Sequence, residues 1–330
     1  MNRETTSHRF ARHPAHDWQD ERRRLQQLRT ILERRQKLQS VIRDFFSTQG
    51  FLHVETPTRV PAPAQEEYID AIPCANGYLR TSPELHMKRM LAAGYSKIYQ
   101  IGPCFRQGEQ GTQHHPEFTM LEWYRAGATY DDILTDTMAL VRTAALDVLG
   151  EPVCHFKGHA VRLDLPWTIA QLDDIFPAMT GGCSVDTAVR DGSFETQLCE
   201  QVEPNLGIHT PTVLRDYPMA YSGLARRKCG KPHRAERWEL YIGGLELANA
   251  YSELSDPAEQ RSRFARAADI RQSEGRTVYP EDPLFLAALD ASMPESAGIA
   301  LGLDRLLMVL TGTERIDAVV AFAENGRTSD

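Results

Sequence analysis

The sequence predicts a mixed α+β fold built on a mainly antiparallel sheet, and three observations lead there. Apolar runs of strand length are interspersed with longer stretches whose apolar residues recur at helical spacing. Neighbouring strand-like runs are joined through glycine-bearing loops suited to hairpins. The helical stretches fall in separate blocks between those hairpins, as α+β architectures require. No internal repeat is visible.

Residues 1–17, rich in His, Arg, Ser and Thr, lack apolar periodicity and are expected to form a disordered tail, leaving 18–330 as one domain. From Asp20 to Phe46, Leu25, Leu28, Ile31, Leu32, Leu38, Val41, Ile42, Phe45 and Phe46 recur at helical spacing, which predicts a long amphipathic helix with room for one break. Gly50 stops it, and Phe51 to Glu55 reads as a strand ended by Thr56-Pro57. Thr81-Ser82-Pro83-Glu84 starts a helix: Thr81 or Ser82 caps, Pro83 sits in the first turn, and Glu84 closes a capping box with Thr81. Lys97 to Cys104 and Glu117 to Arg125 are two strands joined by a loop with Gly108 and Gly111. Asp131 to Leu149 is a helix, and Trp167 to about Val202 is helical with breaks at Pro177 and Gly181-Gly182. Pro211 to Leu214 and Arg237 to Ile242 are strands, while Ala258 to Ser273 and Asp282 to Ala291 are helices. Gly298 to Leu303 is a strand feeding a helix that ends at Gly312.

With 330 residues, 42% hydrophobic and 25% charged, the chain can bury a large core. Its 37 Lys+Arg against 45 Asp+Glu give a net charge of -8, which repels a polyanion at long range, so transfer RNA is not the expected partner. The six cysteines show no C-x-x-C pair or metal spacing, and no apolar run suits a signal peptide or membrane span. A cytoplasmic protein with reduced thiols, away from membranes, is the expectation. The basic run Arg226-Arg227-Lys228, with Lys231 and Arg234, could meet an acidic partner, although most such runs are solvated surface.

Two motifs carry the chemistry: Cys104-Phe105-Arg106 through His114-His115-Pro116-Glu117-Phe118-Thr119-Met120-Leu121-Glu122-Trp123-Tyr124, and Gly298-Ile299-Ala300-Leu301-Gly302-Leu303-Asp304-Arg305. Together with Thr81-Ser82-Pro83-Glu84-Leu85 they resemble the motifs of class II aminoacyl-tRNA synthetases of the lysyl branch, over roughly residues 28 to 324. The resemblance to motif 1 begins near Gly50, so no anticodon-binding barrel of domain size is expected ahead of it. The nearest resemblance is therefore to stand-alone paralogues that ligate β-lysine onto a lysine of elongation factor P. It implies a class II catalytic core, ATP with Mg²⁺, adenylate chemistry, and a homodimer through the first helix and strand.

Activating a carboxylate with ATP needs cations on the α-phosphate and on the departing pyrophosphate. The resemblance gives Arg106 the first role and Arg305 the second, and Arg305 falls in the first turn of its helix, where a bound phosphate would offset the macrodipole. Phe118 resembles the adenine-stacking residue and Gly302 the glycine that admits the base; locally, a core phenylalanine and a turn glycine read as well. The resemblance also places Gln107, Gly108, Glu109, His115 and Leu247 among the ATP contacts. Here Arg106-Gln107-Gly108-Glu109 replaces Arg-Asn-Glu, so either the loop shifts by one residue or backbone groups substitute. Glu239, Glu246 and Glu253 recur every seven residues, and a reset of strand alternation at Gly243-Gly244 would let all three line one cavity. The resemblance assigns Glu239 and Glu246 to Mg²⁺.

For the amino acid, the resemblance implies contacts from Ser82, Pro83 and Glu84, with Glu84 near the α-amine and Glu122, Tyr124 and Glu253 at the distal end. Buried together, these carboxylates predict a dicationic ligand. Ala300 stands where lysyl enzymes have the middle glycine of Gly-x-Gly-x-Gly-x-Asp-Arg, and its methyl fits a β-amino acid or is neutral strand variation. A truncated enzyme activating α-lysine, or an inactive regulatory paralogue, would share the motifs; intact Arg106, Glu246, Glu253 and Arg305 weigh against the latter.

Overall fold

The computed structural model describes residues 18–323. The tail predicted over residues 1–17 lies outside the described residues. Helix α1 (Trp18–Thr48) runs unbroken and buries Leu28, Leu38, Ile42 and Phe46 against the sheet. Phe46 packs its ring 4.6 Å from Tyr99 and 5.1 Å from Trp123, which fixes the helix by aromatic contact. Arg35, also on α1, donates to Thr119 Oγ1 and pairs with Asp304 at 2.5 Å. The helix is thereby tied to the two motif segments.

After α1 come β1 (Leu52–His53), then β2 (Arg59–Val60), β3 (Pro73–Cys74) and β4 (Gly77–Leu79), which form a small separate sheet. Helix α2 (Glu84–Ala92) leads to the hairpin of β5 (Lys97–Phe105) and β6 (Glu117–Ala126), followed by α3 (Tyr130–Leu149). The middle of the chain holds the hairpin β7 (Val153–Phe156) and β8 (His159–Arg162), strand β9 (Thr168–Gln171), and helices α4 (Leu172–Met179), α5 (Val185–Asp191) and α6 (Phe194–Gln197). Then follow β10 (Thr212–Arg215), β11 (Arg237–Ile242), β12 (Leu245–Ser252), α7 (Pro257–Ser273), α8 (Pro283–Ser292), β13 (Ser296–Gly302) and α9 (Leu303–Thr311).

The main sheet has the order β1-β5-β6-β13-β12-β11-β10-β9. Its inner pairs are antiparallel, and the parallel pairs β1 with β5 and β9 with β10 sit at its two edges. The mainly antiparallel α+β prediction therefore stands. The apolar face of the sheet is closed by α1, α3 and α9, where Leu306, Leu307, Met308 and Val309 are fully buried. On the opposite side α2, α7 and α8 enclose a second apolar cluster around Phe285 and Met87.

Three local expectations need correction. Thr168 to Gln171, expected as helix, pairs in parallel with Thr212 to Arg215; a four-residue strand next to a helix gives too short a pattern to outweigh the helical reading. Pro177 does not end its helix, because only two residues follow it within α4 and the missing hydrogen bond is offset by burial of Leu172 and Phe176. The break comes at Gly181-Gly182, both at positive φ. The capping box of Thr81 with Glu84 is absent: Ser82 Oγ accepts from the Glu84 backbone N–H at 2.9 Å, and the Glu84 carboxylate turns into the interior.

Candidate active site

The β5–β6 hairpin, the β11–β12 hairpin and the β13–α9 junction surround a cavity of about 410 Å³. Arg106, Glu109, His115 and Phe118 enter it from the first hairpin, and Glu246 and Leu247 from the second. Ala300, Gly302 and Arg305 complete it from the junction. A second cavity of about 750 Å³ adjoins it, sharing Glu66, Arg237, Glu239, Glu246 and Asn249 as common walls. Gln107 and Gly108 do not line either space; the Gln107 backbone N–H donates to the Asp70 carbonyl, and Gly108 forms the loop bend at φ +82°.

Arg106 lies with its guanidinium carbon 5.2 Å from the Phe118 ring centroid and its Nη1 3.5 Å from Glu109 Oε1. Its Nε is buried without an acceptor among the described residues. An arginine nitrogen left so is expensive unless a ligand oxygen meets it. Arg305 stands in the first turn of α9, donates to the Glu246 carbonyl at 2.8 Å and lies 3.3 Å from Glu246 Oε2. Its other terminal nitrogen meets His114 Nε2 at 2.7 Å. Burial, then the Arg305 charge, holds His114 below the ordinary histidine range, so Nε2 can accept that bond. Gly302 has an ordinary φ of -70°, and a Cβ there would meet nothing nearer than the Arg305 side chain at 3.6 Å. Neither conformation nor internal packing demands that glycine, so the space beside it is open to a ligand.

A closed acidic cluster that lines neither cavity adjoins them through Ala300, paired with Glu122, and Tyr251, bonded to Glu84. Ser82 Oγ and the Tyr124 hydroxyl donate to the two oxygens of Glu122, at 2.7 and 3.0 Å. Glu84 accepts from the Tyr251 hydroxyl and lies 2.6 Å from Lys88 Nζ, whose second partner is Glu253 Oε2 at 2.5 Å. Burial, then Glu84, pushes Glu122 up to about 8 against the bonds from Ser82 and Tyr124. Burial raises Glu253 to about 8 as well, against the pull of Lys88. Burial alone would lower the Lys88 ammonium; Glu253 and Glu84 outweigh it and hold Lys88 above its ordinary value. Gly298 lies opposite Tyr124 in the sheet, and a Cβ there would come within 2.3 Å of the Tyr124 ring and 2.7 Å of Glu253 Oε1. This glycine is required by close approach.

The three glutamates at sevenfold spacing share a strand face for a different reason from the one expected. Gly243-Gly244 makes the turn at positive φ, but the alternation is reset where Leu240 pairs with Ala248 and Tyr241 with Glu246, leaving Leu247 as the extra residue. Glu239 and Glu246 both line the cavities; Glu253 does not, lying beneath them against Lys88. Glu239 is held by Arg237 at 2.5 Å and by the hydroxyls of Tyr217 and Tyr241 at 2.5 and 2.6 Å. Among the described residues no group of three or more His, Cys, Asp or Glu could hold a metal by itself. A Mg²⁺ ion suits this wall only with phosphate oxygens added to one or two of its carboxylates, which is its usual habit with ATP.

His114, Arg237 and Glu66 line the cavity and Lys88 centres the acidic cluster, and none of the four was given a functional role by the sequence reading. Lys88 stands four residues after Glu84, a spacing that signals a pair but on most helices marks exposed surface. The basic run proposed as a partner surface is neutralised internally: Arg226 pairs with Glu236, Arg227 with Glu259, Lys228 with Asp216, Lys231 with Asp173, and Arg234 with Asp173 and Asp186.

The family of class II tRNA synthetases (D, K and N) matches residues 18–326. The elongation factor P–(R)-beta-lysine ligase of Vibrio cholerae is 37% identical over 88% of this chain and 94% of its own length. That of Proteus mirabilis is also 37% identical, with the same coverage. The lysine–tRNA ligase of Thermosynechococcus vestitus is 35% identical over 90% of this chain, which spans 63% of that relative's length.

Proposed function

Because the chain belongs to the class II tRNA synthetases of the D, K and N group, we propose that it is an ATP-dependent ligase that activates (R)-β-lysine and transfers it to the ε-amine of a lysine on elongation factor P. The observation that carries this reading is the 37% identity with ligases of that name over 94% of their length. In the first step a carboxylate oxygen of β-lysine attacks the α-phosphorus of ATP and diphosphate leaves. In the second the acceptor amine attacks the carbonyl of the adenylate, forming an amide and releasing AMP.

Arg106 stabilises the charge that develops on the α-phosphate, and its unpartnered buried Nε supports that role. Arg305, beside Glu246, holds the terminal phosphate, and Phe118 offers its ring to the adenine with Gly302 leaving room for the base. Glu109, His115 and Leu247 border the nucleotide; Gln107 and Gly108 shape the loop without facing it. Mg²⁺ would be held by Glu246 and Glu239 with phosphate oxygens, supplying charge neutralisation on the nucleotide. Glu84, Glu122 and Glu253, with Ser82, Pro83 and Tyr124 around them, receive the two ammonium groups. Ala300, cross-strand from Glu122, narrows the pocket at the reacting end. The working form is a cytoplasmic homodimer through α1 and β1, without tRNA as substrate. No helix among the described residues is long and apolar enough to cross a membrane.

Activation of α-lysine for another acceptor is the second reading, favoured by the 35% identity with a lysine–tRNA ligase. One experiment separates the two: incubation with ATP, either amino acid, and purified elongation factor P or tRNA. A mass gain of one lysyl unit on elongation factor P with β-lysine supports the first reading. Charging of tRNA with α-lysine alone would replace it with the second.

A further inference from the structure

A carboxylate stands where the two cavities meet, and the chemistry so far has not used it. Glu66 lines both spaces. Among the described residues its side-chain oxygens accept no hydrogen bond and form no ion pair, although the loop that carries it is firmly held. Arg271, with no exposed surface, donates to the backbone carbonyls of Glu66, Glu67 and Ile69 and pairs with Asp70. Gln65 donates to the carbonyls of Tyr279 and Pro280, and the Tyr279 hydroxyl accepts from the Ala71 N–H. The backbone is thus fixed through neighbours, and the carboxylate itself is left without a structural task. A group held rigidly but unpartnered at the junction of two cavities is placed to meet a ligand that arrives through one and reacts in the other.

Resting on the function proposed above, we infer that Glu66 is the proton acceptor for the incoming lysine amine. That amine enters as an ammonium, with no lone pair for attack, because its ordinary pKa is about 10.4. One N–H proton passes to a Glu66 oxygen, and the freed lone pair attacks the adenylate carbonyl carbon. The C–N bond forms, the C–O bond to the α-phosphate breaks with its electrons staying on AMP, and the remaining excess proton on nitrogen leaves to water. The surroundings suit the task. Burial, opposed by Arg106 and reinforced by Glu84, holds the Glu66 carboxyl up at about 7; Arg237 opposes and Glu109 adds to the rise, and the Tyr251 phenol lies in the same field. A base poised near the working pH is the efficient kind.

The test uses Glu66→Gln and Glu66→Asp in the full chain, with three readouts: ATP–pyrophosphate exchange with β-lysine, single-turnover transfer from preformed adenylate to elongation factor P, and discharge of the adenylate by hydroxylamine, an amine already uncharged at neutral pH. Transfer by the Gln variant should fall about 10²–10⁴-fold at pH 7, far more than exchange or hydroxylamine discharge. The rise of the transfer rate through pH 7 should vanish and be replaced by one that climbs towards the pKa of free lysine. The Asp variant should recover part of the rate. Equal losses in transfer and exchange, or a raised KM for β-lysine in exchange, would move Glu66 to substrate binding and overturn the inference. So would an unchanged transfer rate and pH profile. Absence of β-lysine-dependent exchange in the unmodified protein would instead overturn the proposed function.

Discussion

At one end of the site the arginines are only loosely countered: Arg106 has Glu109 at 3.5 Å, and Arg305 has Glu246 at 3.3 Å. In the acidic cluster a cation of the protein itself, Lys88, lies 2.6 and 2.5 Å from two carboxylates, with every partner almost wholly buried. The difference follows from solvent access. Guanidinium groups that keep partial exposure, 26% for Arg106 and 19% for Arg305, retain some hydration, whereas carboxylates packed together away from water need a counter-ion. Lys88 supplies that charge on folding, whereas the arginine end keeps a buried donor, Arg106 Nε, without an acceptor among the described residues.

The largest effect that could break this contrast is on stability. Lys88→Met removes the one cation between Glu84 and Glu253, and breaking a buried pair in this way costs about 3–5 kcal/mol. Urea unfolding should show it, and a midpoint within error of the unmodified protein would mean that the carboxylates take up protons and need no counter-ion. Arg106→Ala, by contrast, should lower pyrophosphate exchange about 10²–10³-fold while changing stability by less than about 1 kcal/mol. Exchange at an undiminished rate would remove Arg106 from the chemistry.

Ala300→Gly sharpens the comparison at the boundary of the two ends. Pocket discrimination by one methyl is worth about 1–3 kcal/mol, so kcat/KM for α-lysine relative to β-lysine should rise by roughly 10–200-fold. An unaltered ratio places selectivity elsewhere. The smallest effect concerns protons. With Glu122 raised from an ordinary 4.5 to about 8, the folded protein binds more protons than the unfolded chain between those values. This group therefore destabilises the fold progressively as pH rises through that window. An arriving ammonium favours the ionised form, so binding of β-lysine near pH 7 should release a fraction of a proton. Calorimetry in buffers of different ionisation enthalpy measures it, and no buffer dependence would mean that Glu122 is already ionised.

The same division explains what the residues reveal before folding. The β5–β6 and β13–α9 segments are legible because each carries its pattern, its turn and its charged residue within a few positions: Arg106 follows a nine-residue strand, and Arg305 follows Gly302. The acidic cluster is assembled from α2, β6, β12 and the residue just beyond it, and its decisive pair, Lys88 with Glu253, spans 165 positions. Nothing local distinguishes Lys88 from the exposed lysine of an ordinary helical pair. The bulge at Leu247 is equally silent, since an extra strand residue shows only once a partner strand is present. The two- and three-residue strands of the small sheet are too short to show any periodicity.

Gly298 carries a consequence for how this pocket can change over generations. Its missing side chain is the space filled by the Tyr124 ring and Glu253 Oε1. A mutation to alanine at 298 therefore depends on history: it is tolerated only after Tyr124 has already given way to something smaller, and rejected in the reverse order. The accessible route to a remodelled acidic cluster is one-way, opening at the tyrosine, and a lineage that keeps Tyr124 is confined to glycine at 298 however often alanine arises there.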